Sequence, residues 1–158
     1  MRLFHGSYLP VEKPDISFSR INVDFGKGFY TTPMREQAVS WAGRFKRKHG
    51  QGIVSTYEID MSAIYDNTAV LTFDDYSEEW LDFVIACRRG ENQGDYDIVI
   101  GGVANDQIFD TIQLFFDGLI DKSESLKRLR YDKPNIQYCF RSQTIINKHL
   151  KFISSEVL

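Results

Sequence analysis

Asp24-Phe25-Gly26-Lys27-Gly28-Phe29-Tyr30-Thr31-Thr32 is the stretch around which the chain is organised. Its two glycines let the backbone turn, or approach a ligand, where a Cβ would collide. Phe29-Tyr30-Thr31-Thr32 is a strand-prone run, and Tyr30 carries a flat π-face with a polar tip. Pro33 ends the extended run and suits the first position of a helix. A glycine turn that delivers a tyrosine onto a strand can wall a flat ligand. The plainer alternative is a hairpin packed by aromatics. Gly26-x-Gly28 lacks a third glycine and is followed by a strand pattern, which excludes a dinucleotide-binding turn. Asp24-Phe25-Gly26 has no kinase catalytic loop before it, and no phosphate-cradling G-x-x-x-x-G-K-[ST] occurs.

Working outward, residues 2–7 read as a first strand and residues 8–23 as a loop bounded by Pro10 and Pro14. Residues 28–32 form the second strand. From Pro33 a helix follows, with Met34, Ala38, Trp41, Ala42 and Phe45 on one face, Thr32 as its cap and Gly50 as its stop. Ile53–Ile59 alternates as a third strand. A helix over Ser77–Arg89 buries Trp80, Phe83, Val84 and Cys87, with Asp75 available to cap it. Tyr96–Ile100 is a short strand closed by Gly101-Gly102. Helices are expected through Ile108–Phe115, stopped by Gly118, and over 121–129. A strand at 135–140, a Ser142-capped helix through His149 and an extended Lys151–Ile153 complete the order. Short strands alternating with helices give one α+β domain over 1–158.

At 158 residues the chain has enough length for a real core, and its net charge of −3 argues against general nucleic-acid binding. The N-terminus shows no leader pattern and no apolar run nears transmembrane length, so a cytoplasmic protein without membrane association is expected. Cys87 and Cys139 lack metal-ligand spacing and three scattered histidines complete no zinc set. No metal is expected.

The start of the chain adds Leu3-Phe4-His5-Gly6-Ser7. Together, His5-Gly6-Ser7 and Gly26-Lys27-Gly28-Phe29-Tyr30 resemble the ADP-ribosyltransferase superfamily in its poly-ADP-ribose-polymerase form. That form pairs a histidine and a tyrosine with a third polar residue on a late strand, here Gln137 in Asn135-Ile136-Gln137-Tyr138-Cys139-Phe140. Through Ser19-Arg20, Gly101-Gly102-Val103-Ala104-Asn105-Asp106 and Gln137-Tyr138-x-Phe140, nearly the whole chain looks like the bacterial domain of unknown function 3990, a family assigned to that superfamily.

The resemblance implies a split, mostly antiparallel pair of sheets around an NAD cleft, with NAD as co-substrate and ADP-ribose passed to a macromolecular acceptor, protein or nucleic acid. It further implies a toxin of small toxin–antitoxin or conflict systems, with a small antitoxin protein as partner, which is analogy at the level of the fold. By the same resemblance His5 donates to a ribose hydroxyl, the Gly6 backbone holds the nicotinamide amide and Ser7 adds a contact. Tyr30 stacks on the nicotinamide, flanked by Gly28, Phe29 and Thr31, and Trp41 falls where a second stacking aromatic belongs. Gln137 fixes the ribose 2′-hydroxyl.

Glutamine departs from the polymerase type, where a glutamate stabilises the positive ribose as nicotinamide leaves. Its missing charge would come from Asp24 or Asp106, or the site would bind NAD without turnover. Asn135 replaces the second carboxylate of arginine-modifying relatives and cannot act as a base near neutral pH, which disfavours arginine as acceptor. Arg20 reaches the pyrophosphate or forms a surface ion pair; Asn105-Asp106 cap a helix or line the cleft. His5 and Trp41 each retain a purely structural alternative. The basic run Arg44-Phe45-Lys46-Arg47-Lys48-His49 suits the end of a helix, or docks an acidic partner or a nucleic acid. The rival activities are an NAD glycohydrolase and an NAD- or ADP-ribose-binding regulatory module.

Overall fold

Strand β1 (Arg2–Ser7) sends alternate side chains to two different partners. Phe4 faces helix α1 (Arg35–His49), where it packs with Ala38, Ala42 and Val54. Gly6 lies so close beneath the helix that a Cβ there would fall 2.2 Å from the Ala38 carbonyl oxygen and 2.7 Å from the Ala42 nitrogen. The glycine is therefore required by helix packing. Leu3, on the opposite side of β1, enters a core that joins the two sheets.

A computed structural model describes residues 1–91, 93–130 and 134–158, apart from the side chain of Asp106. Strand β1 pairs with β3 (Ile53–Glu58), and β3 with the C-terminal β7 (Lys151–Val157), all antiparallel. The second sheet contains β2 (Phe29–Thr31), β4 (Val70–Thr72), β5 (Ile98–Gly102) and β6 (Ile136–Phe140), in the order β2-β6-β5-β4. There β2–β6 and β6–β5 are antiparallel and β4–β5 is parallel. The sheets meet where Phe4 and Thr32 exchange backbone hydrogen bonds of 2.8 and 2.9 Å.

One core cluster joins Leu3, Tyr57 and Ile59 to Phe29, Ile98 and Phe140 across the two sheets, and Ile64 of α2 (Met61–Tyr65) is buried in it. The other lies under α3 (Glu78–Arg88) and α4 (Asp106–Phe116), where Trp80, Leu81, Val84, Ile108 and Ile112 cover Val99 and Cys139. Each such side chain contributes about 1.5–3 kcal/mol by leaving water. Leu129 of α5 (Lys122–Leu129) closes this cluster, and Ile146 of α6 (Gln143–His149) closes the first. The result is an α+β fold with mixed sheets and peripheral helices. Among the described residues, no helix is long and apolar enough to cross a membrane.

Helix α1 begins at Arg35, two residues beyond Pro33, with Met34 as its cap position. Thr32 still receives the Met34 N–H at 3.1 Å, but its hydroxyl also donates to the Ile136 carbonyl, fastening β2 to β6. Ser77, and not Asp75, caps α3 by accepting the Trp80 N–H. Strand β5 starts two residues late and runs through Gly101-Gly102, where Cβ atoms would strike Phe25 and Tyr76. The short α2, β4 and a 3-10 turn at Ile16–Phe18 are additions to the expected set, and β7 continues past Ile153.

Gly6→Ala is expected to destabilise the fold by about 3 kcal/mol, the upper end of overpacking costs, because backbone atoms cannot yield. Gly43→Ala in the same helix meets nothing within 4 Å and should be neutral or stabilise by up to about 1 kcal/mol. Urea unfolding of the two variants checks the contrast.

Candidate functional site

His5 meets the central stretch through the backbone. Its Nδ1 lies 2.7 Å from the Tyr30 carbonyl oxygen. A carbonyl only accepts, so Nδ1 carries the proton and the neutral ring keeps Nε2 as an acceptor. The ring leans on Phe29, 4.5 Å between centroids. Burial lowers the His5 pKa below 6.5, against the opposing pull of the Tyr30 carbonyl, and so favours this neutral form. Nε2 has no protein partner among the described residues. In this tautomer Nε2 is a hydrogen-bond acceptor, whereas the resemblance implies a donor role for His5.

Tyr30 holds its own loop. Its hydroxyl donates to the Gly26 carbonyl at 2.6 Å and accepts the Phe25 N–H at 3.0 Å. Gly26 makes the turn at a φ of 73°. Burial pushes the Tyr30 pKa well above its ordinary value, so the phenol stays protonated. Its ring is partly buried against the cluster under α3 and α4. Ser19 closes the other side of the loop by accepting the Gly28 N–H at 2.9 Å and donating to the Arg20 carbonyl. Gly28 itself presses on β6, where a Cβ would lie 2.5 Å from the Cys139 sulfur.

Asp24 is fixed from α3. Arg88 donates to its Oδ1 from Nη2 at 2.6 Å and from Nε at 3.1 Å, both side chains largely buried. The Arg88 guanidinium also lies 4.9 Å from the Phe109 ring centre. The Asp24 charge is compensated locally and cannot replace the one missing from Gln137.

Gln137 is 4% exposed on β6. Cys139 stands opposite Tyr30, and alternation puts Gln137 on the same side of the sheet, two residues further along. Its Nε2 donates to the Gly102 carbonyl at 3.4 Å, a long bond. His5, Tyr30 and Gln137 thus occupy three neighbouring strands. The ring of His5 lies over Phe29, on the other side of β2 from the ring of Tyr30, so these two residues meet through Tyr30's peptide group.

The remaining expected residues have specific places. Ser7 is buried, and its hydroxyl accepts the Leu9 N–H at 3.4 Å. Gly6 is packed under α1, whose Ala38 and Ala42 backbone occupies the space a Cβ would need, so helix packing and not ligand approach explains the glycine. Phe29 belongs to the core joining the sheets, and Thr31 is buried with its hydroxyl toward the Tyr138 carbonyl. Trp41 has its Cβ beside Gly6 on the α1 side of β1, whereas the Tyr30 ring packs toward α3 and α4. Arg20 is exposed in the loop before Asp24. Asn105 caps α4 by accepting the Ile108 N–H at 2.9 Å, the plainer of its two expected roles. Asp106 opens that helix, and its side chain lies outside the described residues. Asn135 donates to Gln37 of α1 at 3.3 Å.

Sequence reasoning did not single out Arg88, and it named Ser19 only within Ser19-Arg20, without the tether its hydroxyl makes. Arg88 reads as a cation in the last turn of a helix, and nothing local reveals its distant partner. Ser19, nine residues before Gly28, carried the only available signal: a small hydroxyl ahead of a glycine turn. Open depressions mark the described surface. One of about 560 Å³ lies between α4 and α5, lined by Thr111, Leu114 and Arg128. One of about 400 Å³ is lined by Lys27, Tyr96, Asp97 and Arg141 and touches the central stretch through Lys27. Neither is lined by His5, Tyr30 or Gln137. Among the described residues no group of three His, Cys, Asp or Glu side chains converges to hold a metal.

A family described as protein of unknown function (DUF3990) matches residues 1–152. No curated protein and no solved structure matches the chain.

Folding holds His5 neutral, so the unfolded chain takes up this proton first. The unfolding free energy should therefore decline as pH falls from about 6.5 to the lower pKa of folded His5, and level off below it. Urea titrations across this range check the slope, and His5→Gln should remove its His5-linked part.

Proposed function

The chain belongs to the DUF3990 family of proteins of unknown function, and from the resemblance carried by His5, Tyr30 and Gln137 we propose that it is an NAD-dependent ADP-ribosyltransferase with a split-sheet, ADP-ribosyltransferase-like fold. The observation that carries this reading is the placement of His5, Tyr30 and Gln137 on β1, β2 and β6 at the junction of the two sheets, with Nε2 of His5 unpaired. The order of the three residues is the order the resemblance implies.

In this reading the ring face of Tyr30 packs on the nicotinamide, a contact worth around 1 kcal/mol beyond burial. Nε2 of the neutral His5, on the other side of β2 from the Tyr30 ring, would meet a ribose hydroxyl around the strand edge, and the buried Gln137 amide would have to exchange its long bond to Gly102 for the 2′-hydroxyl. The glycosidic bond to nicotinamide breaks with its electron pair leaving on the nicotinamide nitrogen. The acceptor nucleophile then bonds to the ribose carbon and gives up one proton. Selective stabilisation of the positive ribose is modest, since Gln137 is neutral and Asp24 is held by Arg88. That pair of observations also favours the second reading, a module that binds NAD or ADP-ribose with little turnover. The toxin role and its small antitoxin partner stay with the transferase reading as its biological form.

Nicotinamide release from NAD by the purified chain, with and without cell lysate, tests the proposal. Release that needs lysate, with label on a macromolecule, is the expected result. Release without lysate would instead identify a glycohydrolase, and NAD binding without release the regulatory module. Tyr30→Ala should weaken NAD binding at least fivefold, whereas Tyr30→Phe keeps the ring and loses the two loop hydrogen bonds, so its loss should be smaller than that of Tyr30→Ala. Unchanged NAD affinity in a folded His5→Ala, Tyr30→Ala double variant would show the site to be wrong.

A further inference from the structure

At the far end of α1 from the junction of the sheets, three rings gather at the surface. Tyr8, just after β1, stacks on His49 with centroids 4.5 Å apart and planes 19° from parallel. Phe45, one helical turn before His49, lies 5.8 Å from Tyr8 and 6.1 Å from His49. Gln51 holds the Tyr8 segment in place by donating to the Tyr8 carbonyl at 3.4 Å. Tyr8 is 41% exposed and His49 is exposed, so both rings keep part of their surface open to solvent.

Charge surrounds this platform unevenly. Residues 37–57 contain Arg44, Lys46, Arg47 and Lys48 and no carboxylate, in a chain whose net charge is −3. Lys46 donates to the Leu158 carbonyl, and the exposed Arg47 and Lys48 complete the last turn before Gly50. Cations here complement the helix dipole, but that accounts for neither the stacked rings nor the absence of acids over twenty-one residues. We propose that the Tyr8–His49–Phe45 platform and the cations of the α1 C-terminus bind single-stranded nucleic acid, a base packing on the rings while phosphates lie along Arg47, Lys48 and their neighbours.

Chemistry favours a single strand over the other anionic partners. Splayed bases offer π-faces to aromatic platforms, and sequence-tolerant stacking combined with a basic track is the general mode of single-strand binding. A duplex hides those faces. An acidic peptide would use the cations and leave the rings idle. The surface is separate from His5, Tyr30 and Gln137, so the inference stands whether or not NAD is cleaved.

Fluorescence anisotropy of the full chain with labelled fifteen-nucleotide dT and U strands tests it, beside a duplex of the same length, a poly-glutamate peptide and anionic phospholipid vesicles. Both single strands should bind at low salt more tightly than the other three probes, and the stronger of the two identifies DNA or RNA as the source. For three phosphate contacts the slope of log affinity against log salt should be about −2. Tyr8→Ala should weaken binding about tenfold, and Tyr8→Trp, which keeps a ring, should preserve it. Arg47→Ala with Lys48→Ala should flatten the salt slope by about 1.4. No binding of either strand at low salt, equal or tighter binding of the duplex, the peptide or the vesicles, or an unchanged affinity in a folded Tyr8→Ala variant would each overturn the proposal.

Discussion

The fold depends on a single crossing of peptide groups. Phe4 and Thr32 exchange two backbone hydrogen bonds, and this bridge is where the three-stranded sheet meets the four-stranded one. Net, two such bonds contribute only about 1–3 kcal/mol. Their structural effect is larger, because they fix the relative position of β1 and β2. Once Phe4 is opposite Thr32, the adjacent His5 is brought to the Tyr30 carbonyl and Phe29 to the His5 ring. Thr32 completes the arrangement by bonding to β6 through its hydroxyl. One bridge thus sets the relation of β1, β2 and β6, the three strands that carry the candidate site.

The loop before β2 shows how a short irregular segment is made single-valued. Its backbone donors at Phe25 and Gly28 are taken by side-chain oxygens of Tyr30 and Ser19, and the Gly26 carbonyl is taken by Tyr30. The partly buried carboxylate of Asp24 has its cation in Arg88. Removing Arg88 would leave that charge unpaired, whereas removing both partners would cost less. The loop is therefore rigid through satisfied polar groups, and Phe25 anchors it by burial in the core. A wall that offers a ring face to a flat ligand needs such rigidity, since a loop that must be ordered on binding subtracts from affinity.

Much of the fold is legible in local sequence, and the exceptions have physical reasons. The periodicity of α1 and α3, their glycine and serine boundaries and the alternation of β3 depend on near neighbours, and they fall where the sequence puts them. Strand β5 was displaced because Gly101-Gly102 reads as a turn, while the structure uses two missing side chains to pass beneath Phe25 and Tyr76. The same ambiguity affected Gly6, whose lack of a Cβ looked like room for a ligand and is room for a helix. Three-residue β4 and five-residue α2 are too short to show a period. At the candidate site, residue order was legible, but the side of the strand each ring takes was not. That choice is settled by which cluster receives Phe29 and which receives Tyr30, a property of the assembled sheets.

Gln137 illustrates how surroundings constrain chemistry at one position. It is almost fully buried, and its amide nitrogen faces the Gly102 carbonyl. A carboxylate there would set two acceptors against each other and would lose its hydration, a cost of several kcal/mol unless it became protonated. Asp24 cannot reshape the local field, since Arg88 already neutralises it. A neutral amide is thus the side chain this environment tolerates, independent of any catalytic history. If NAD occupies the site as proposed, the 2′-hydroxyl meets a hydrogen-bonding group without a formal charge, and stabilisation of a positive ribose must rest mainly on orientation and on the exclusion of water. Proximity effects can supply a large share of a barrier, so a glutamine at this place limits the rate of the proposed reaction more than it changes its type.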